Sequence, residues 1–204
     1  ASYLIGYELR RLQENRSVRS IADDIISGFA EGMFNLASAL PVSRVGAAAL
    51  LYARIATYLK PDFPVAQLLM GDILDSSGRH GDSIEIYKLI GKETSYSWLA
   101  RLKMAENLNI TGRLDEAKEL LEAMAKERPA QTDPLVRLGS FLRLKEDYQG
   151  AVDAYNRAFE RLGGEEPRNW MLFYYRGISL ERLKKWDLAE KDFLKALELN
   201  PDQP

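Results

Sequence analysis

Three pairs of punctuating residues recur at one spacing. Pro61 and Pro129 lie 68 residues apart, Gly71 and Gly139 also 68, and Gly78 and Gly112 lie 34 apart. A fixed period of this length marks a chain of supersecondary units, none of which buries its apolar face alone. Cutting at 34 gives the windows 30–63, 64–97, 98–131, 132–165 and 170–203. A four-residue insertion, Glu166-Pro167-Arg168-Asn169, precedes the last window beside Gly163-Gly164. Insertions of this kind fall in loops between units.

Each window reads as two amphipathic helices and a tight turn. The pattern predicts helices over 64–74 and 82–90, 98–110 and 114–127, 134–144 and 149–162, and 170–183 and 188–199. Ser77-Gly78-Arg79-His80, Thr111-Gly112-Arg113 and Lys184-Lys185-Trp186-Asp187 supply turns, and Asn200-Pro201 stops the last helix. Residues 1–29 do not fit the period. They read as a helical leader or cap, with one helix over Tyr3–Asn15 and a second from an N-capping Ser20 through Ile26.

The side-chain pattern within the windows is similar to that of the tetratricopeptide family. That family wants small residues at positions 8, 20 and 27, large apolar ones at 4, 7, 11, 17 and 24, and proline at 32. The last window has Phe173, Gly177, Leu180, Trp186, Ala189, Phe193, Ala196 and Pro201, with Arg176 departing at position 7. Window 132–165 has Leu135, Leu138, Gly139, Leu142, Tyr148, Ala151, Tyr155 and Ala158, with Gly163 for proline. Window 98–131 departs at Arg101 and Met124, and window 64–97 at Gln67, His80, Ile90 and Ser95. Window 30–63 matches least, with Gly46 and Ala53 where large apolar residues belong. The resemblance implies an all-α fold, a right-handed solenoid of antiparallel helix pairs over 30–203 behind the helical cap. The stretches 50–63 and 193–204 also resemble long bacterial multi-repeat members of the family.

The resemblance further implies recognition of a protein or peptide in a concave groove lined by the first helices. Carried over by register, the groove residues are Asn35, Leu69, Asp72, Lys103, Glu106, Asn109, Arg137, Arg143, Tyr174, Tyr175 and Arg182. Basic groups beside aromatic ones suit an extended peptide bearing carboxylates. Glu106 and Asp133 are the acids expected to neutralise part of that charge. The family's carboxylate clamp needs Lys and Asn at set positions. Leu68, Leu102 and Val136 stand at position 5 and no Asn at position 9, so that clamp is not expected. The apolar residues of the last helix, Leu188, Phe193, Leu194, Leu197 and Leu199, imply either further repeats or a second copy packed against it.

Composition narrows the chemistry. There is no Cys and a single His, His80, so neither a thiolate metal site, a disulfide nor a His cluster can form. No cofactor, metal or catalytic residue is expected. Asp23-Asp24 and Glu165-Glu166 are adjacent acids without a shared pocket, and no glycine-rich phosphate loop or nucleophile elbow occurs. The expectation is a chain that is not an enzyme. Asn15-Arg16-Ser17 and Asn109-Ile110-Thr111 match the glycosylation tripeptide, which is common by chance. With 28 basic against 30 acidic residues the net charge is −2, unlike a nucleic-acid binder. No apolar run is long enough to cross a bilayer, and the N-terminus does not read as a signal peptide. The location fits either an exported envelope protein or a cytoplasmic one.

Overall fold

The computed structural model describes residues 24–163 and 169–201, with residues 42–45 described by backbone alone. Tyr3–Asn15, Ser20, Asn15-Arg16-Ser17, Glu165-Glu166 and residues 166–168 of the insertion lie outside the described residues. The described residues form ten helices and no strand. They are α1 Ile25–Ala39, α2 Val42–Leu59, α3 Pro64–Ser76, α4 His80–Lys88, α5 Ser97–Ile110, α6 Leu114–Glu127, α7 Asp133–Leu144, α8 Tyr148–Phe159, α9 Trp170–Arg182 and α10 Trp186–Leu199. The chain divides into two compact units, Ala1–Arg113 with α1–α5 and Leu114–Pro204 with α6–α10.

Four of the first helices of the windows end in one turn. Gly78, Gly112, Glu146 and Lys184 all adopt left-handed backbone, with φ of 73°, 78°, 64° and 59°. In each case the next amide donates to the carbonyl five residues earlier. Arg79 reaches Leu74 at 2.9 Å, Arg113 reaches Leu108 at 2.8 Å, Asp147 reaches Leu142 at 2.9 Å and Lys185 reaches Leu180 at 2.9 Å. This arrangement satisfies helix-end carbonyls that have no partner within the helix. The four accepting leucines are buried, so each turn is anchored to the core. All four left-handed residues stand at position 15 of their windows.

The first pair is built differently. Asp24 Oδ1 accepts the Ser27 amide at 2.7 Å and caps α1. Ile25 and Ile26 therefore open a fifteen-residue helix, and do not belong to a separate one capped by Ser20. Leu40 and Pro41 alone join α1 to α2, and Leu40 is extended as a residue before proline should be. The interface is packed by small residues. Ala30, Ala37, Ala49, Ala53 and Ala56 are all buried, against Met70, Ile73 and Leu74 in one cluster and Phe63 and Ala66 in another. Ala53 thus departs from the pattern because alanines fill the contact between the helices.

In the later pairs a glycine faces a ring. A Cβ added to Gly139 would lie 2.5 Å from Tyr155 Cε1, and one added to Gly177 would lie 2.8 Å from Phe193 Cε1. A Cβ on Gly71 would collide with the ring of Tyr87. The ring at position 24 occupies the space a side chain at position 8 would need, which is how dense helix contact is reached. Large residues at position 27 are accommodated as well: Ile90 and Met124 are both buried. Gln67, polar at position 4, is also buried and donates to the Pro61 carbonyl at 2.8 Å.

Candidate functional site

The contact of ring and glycine also brings polar groups together. In the first unit the Tyr87 hydroxyl donates to Asp72 Oδ1 at 2.6 Å. Lys103 Nζ lies 3.0 Å from the same oxygen. Ser83 donates to the Gly71 carbonyl at 2.8 Å, and Asn107 Nδ2 donates to Ser83 Oγ at 3.1 Å. Burial, then the bond to Asp72, pushes the Tyr87 phenol far above its ordinary range. Asp72 thus takes both a hydroxyl and an ammonium, and the charge of Lys103 is answered inside the protein.

The second unit repeats the geometry with other chemistry. The Tyr155 hydroxyl lies 3.2 Å from Ser140 Oγ. Burial raises its pKa, while Ser140 and Arg143 act against that rise. The Arg143 guanidinium sits 4.8 Å from the centre of the Tyr175 ring. Its Nε is buried and makes no hydrogen bond, and no carboxylate among the described residues pairs with it. Tyr175 stands 5.7 Å from Tyr174, which in turn stands 6.2 Å from Trp170 and 6.1 Å from Phe193, ring centre to ring centre. Tyr174 is 40% exposed.

The remaining candidates scatter. Asn35 and Arg182 are exposed, whereas Glu106, Asn109 and Arg137 are half-buried. Burial lowers the Arg137 pKa. Leu69 packs against the cluster of Ala37, Met70 and Ile73. Leu68 and Leu102, at position 5, are buried and present little surface. The register offers Glu106 and Asp133 as acids for the basic residues. The pairing found on Lys103 comes from Asp72, itself a groove candidate.

Two other surfaces of the second unit carry chemistry. Arg176 donates to both oxygens of Asp192, at 2.7 and 2.6 Å, and to Asn156 Oδ1 at 2.8 Å. The same guanidinium lies 4.1 Å from the Phe159 ring centre. These contacts border a cleft of about 390 Å³ that also holds Gln149, Asp153 and Lys191. On α10, Trp186, Phe193, Leu194 and Leu197 line a hollow of about 420 Å³ rimmed by Glu181, Asp187 and Glu190. His80 Nδ1 lies 2.8 Å from Asp75 Oδ1 at the start of α4. No group of acids and histidines among the described residues could hold a metal ion. Among the same residues no helix is long and apolar enough to cross a membrane.

Two stretches of the chain, residues 111–164 and 170–203, match tetratricopeptide-repeat family profiles. The chain carries repeats of the tetratricopeptide family. Solved tetratricopeptide solenoids share its fold. A MamA structure from Desulfovibrio magneticus superposes with a TM-score of 0.71 at 18% identity, covering 90% of this chain and 99% of that one. YrrB, described as a tetratricopeptide-repeat protein with an unusual peptide-binding site, gives 0.62 at 15% identity over 89% of this chain and 95% of its own. Among curated proteins, human Protein O-mannosyl-transferase TMTC1 is 24% identical over 135 residues, 66% of this chain. The lipoprotein NlpI homolog of Haemophilus influenzae is 31% identical over 86 residues, 42% of this chain. The matched stretches span only 15% and 26% of those two relatives.

As a tetratricopeptide-repeat fold, the chain is a scaffold for protein interaction. Its repeat positions explain what sequence reasoning misses. The pattern marks Tyr87 and Tyr155 as core rings, yet each also ties position 24 to position 9 through its hydroxyl. The signal is present in the chain: a tyrosine at 24, a glycine at 8 and a polar residue at 9. Arg176, the departure at position 7, is matched by a buried acid at position 23, Asp192.

Proposed function

We propose that the first helices of the second unit, α7 and α9, hold an extended segment of a protein partner. The observation that carries this reading is Arg143 stacked on Tyr175 beside the half-exposed Tyr174. Exposed aromatic area near a guanidinium that has no acid partner is the composition of an interaction hot spot. The peptide-binding site described for YrrB, a protein of the same fold, is consistent with it. In the first unit Asp72 and Lys103 are instead engaged by each other. The test is selection of short displayed random peptides on the chain. Selected peptides should bind Tyr174→Ala at least about tenfold more weakly, with unchanged circular dichroism. Equal binding to both proteins would overturn the reading.

A second reading is favoured by α10. Trp186 is 60% exposed, Leu194 60% and Leu197 50%. Leu197 has the register of Phe159, whose ring lies 4.5 Å from Phe173 of the following helix. An assembly role would place another helix, from a second copy of the chain, on this face. Sedimentation at rising concentration should then show association that Leu197→Glu abolishes. A monomer at every concentration would sink it.

A further inference from the structure

We infer that the segment held by α7 and α9 carries a carboxylate seated on Arg143, with an aromatic or branched aliphatic side chain within about three residues of it on Tyr174. The inference rests on the proposed binding role of these two helices. It comes from comparing four repeat positions, 9, 12 and 24 of one window and 6 of the next. In the first unit they are Asp72, Asp75, Tyr87 and Lys103, and in the second Ser140, Arg143, Tyr155 and Tyr175.

In the first unit both acids have internal cations or donors. Asp72 holds Lys103 and Tyr87, and Asp75 holds His80. In the second unit both acids are gone and a guanidinium stands at position 12. The other cations of the second unit show how a half-buried guanidinium is normally satisfied. Arg157 makes two bonds of 2.7 Å to Glu122, and Arg176 does the same with Asp192 at 2.6 and 2.7 Å. Arg161 donates to the carbonyls of Ala125 and Gln131. Arg143 has the aromatic stack without the acid.

Stacking one face of a guanidinium leaves its edge for a ligand. That edge is a planar fork matching the two oxygens and single charge of a carboxylate. Tyr175 holds the guanidinium from one side, and the Ser140–Tyr155 pair borders it without supplying charge. The Tyr175 ring also spaces the two subsites. It lies 4.8 Å from Arg143 and 5.7 Å from Tyr174, so the two subsites are no farther apart than those two distances together. An extended chain advances about 3.3 Å per residue, so at most about three residues bridge that span.

The experiment selects short random peptides on the full chain in two display formats, one with a free and one with a blocked C-terminus. Enriched peptides should carry Asp or Glu with an apolar residue within about three positions. If only the free format enriches, the ligand is a terminal carboxylate; if both do, it is a side chain. Changing the acid of a selected peptide to its amide should weaken binding at least about tenfold, read by fluorescence anisotropy. Arg143→Gln should cause the same loss for the acidic peptide and little for its amide. Arg143→Lys should keep part of the affinity, and Arg143→Glu should shift the enrichment to Lys and Arg. Circular dichroism of each variant checks the helices. Peptides without acids, bound equally by Arg143→Gln and lost in Tyr174→Ala, would overturn this inference and leave the binding role standing. Peptides indifferent to both variants would overturn the two together.

Discussion

The two units use one scaffold for opposite purposes. Around Gly71 the chain builds a closed polar cluster, in which Tyr87, Asp72 and Lys103 satisfy each other. Around Gly139 it builds the same contact of ring and helix, but leaves Arg143 with a tyrosine face and no acid. The difference lies in two positions, where Asp72 and Asp75 are replaced by Ser140 and Arg143. Packing positions and surface-charge positions are therefore separable within a repeat. The first set is steric and shared, and the second is electrostatic and free to vary.

The last repeat extends the comparison and gives the largest expected effect. There the ring is Phe193, without a hydroxyl, and the tie between helices is Arg176 with Asp192. Both side chains are largely buried, at 20% and 7% exposure. Asp192→Ala should cost about 3 kcal/mol in urea unfolding, because it strands a desolvated guanidinium. Arg176→Leu with Asp192→Ala should recover most of that loss, since position 7 is otherwise apolar. No recovery would mean the ion pair is more than a substitute for packing.

The shared scaffold is tested next. Gly71→Val and Gly139→Val should each lose about 2 kcal/mol, measured the same way, because both drive a side chain into a tyrosine ring. Unequal losses would break the claim that the two units are packed alike. The recognition difference is tested by Ser140→Asp, which copies the first unit's acid into the second. It should weaken an acidic peptide on Arg143 about tenfold, as an internal carboxylate occupies the fork, with helicity unchanged by circular dichroism.

The smallest effect concerns pH. Arg157 holds the Glu122 carboxyl below its ordinary range, chiefly through their hydrogen bonds. An acid with a depressed folded pKa stabilises above its unfolded pKa, and that contribution fades as pH falls through the folded one. Thermal unfolding should therefore show acid sensitivity that Glu122→Gln reduces. The difference should stay under about 1 kcal/mol, because both side chains are a third or more exposed. A larger gap would place more of the unit's stability in this pair than its exposure allows.

Much of this is legible in the chain itself. The period locates the helix pairs, and for α5 and α6 the expected 98–110 and 114–127 match the observed helices within one residue. Gly78 and Gly112 announce their turns, while Glu146 and Lys184 do not, because non-glycine residues rarely signal left-handed backbone. At Ile25 and Ile26 the period gives no boundary, because a cap at Asp24 and a stop at Leu40-Pro41 set the helix ends. The candidate site is legible only as a set of register positions. Register names the residues of a face, but not whether Asp72 or a ligand meets Lys103. That depends on side chains reaching across helices, and the three-residue spacing of helix faces does not encode it.

The recurring left-handed turn carries an evolutionary consequence. Its φ near +60° is eased by glycine in the first unit but borne by Glu146 and Lys184 in the second. Neither residue belongs to the aromatic and basic groups on α7 and α9. Exchanging either for glycine offers a route to heat tolerance that leaves the choice of partner untouched. Selection or design can thus adjust the durability of the second unit at its corners and its selectivity on its helices, one independently of the other.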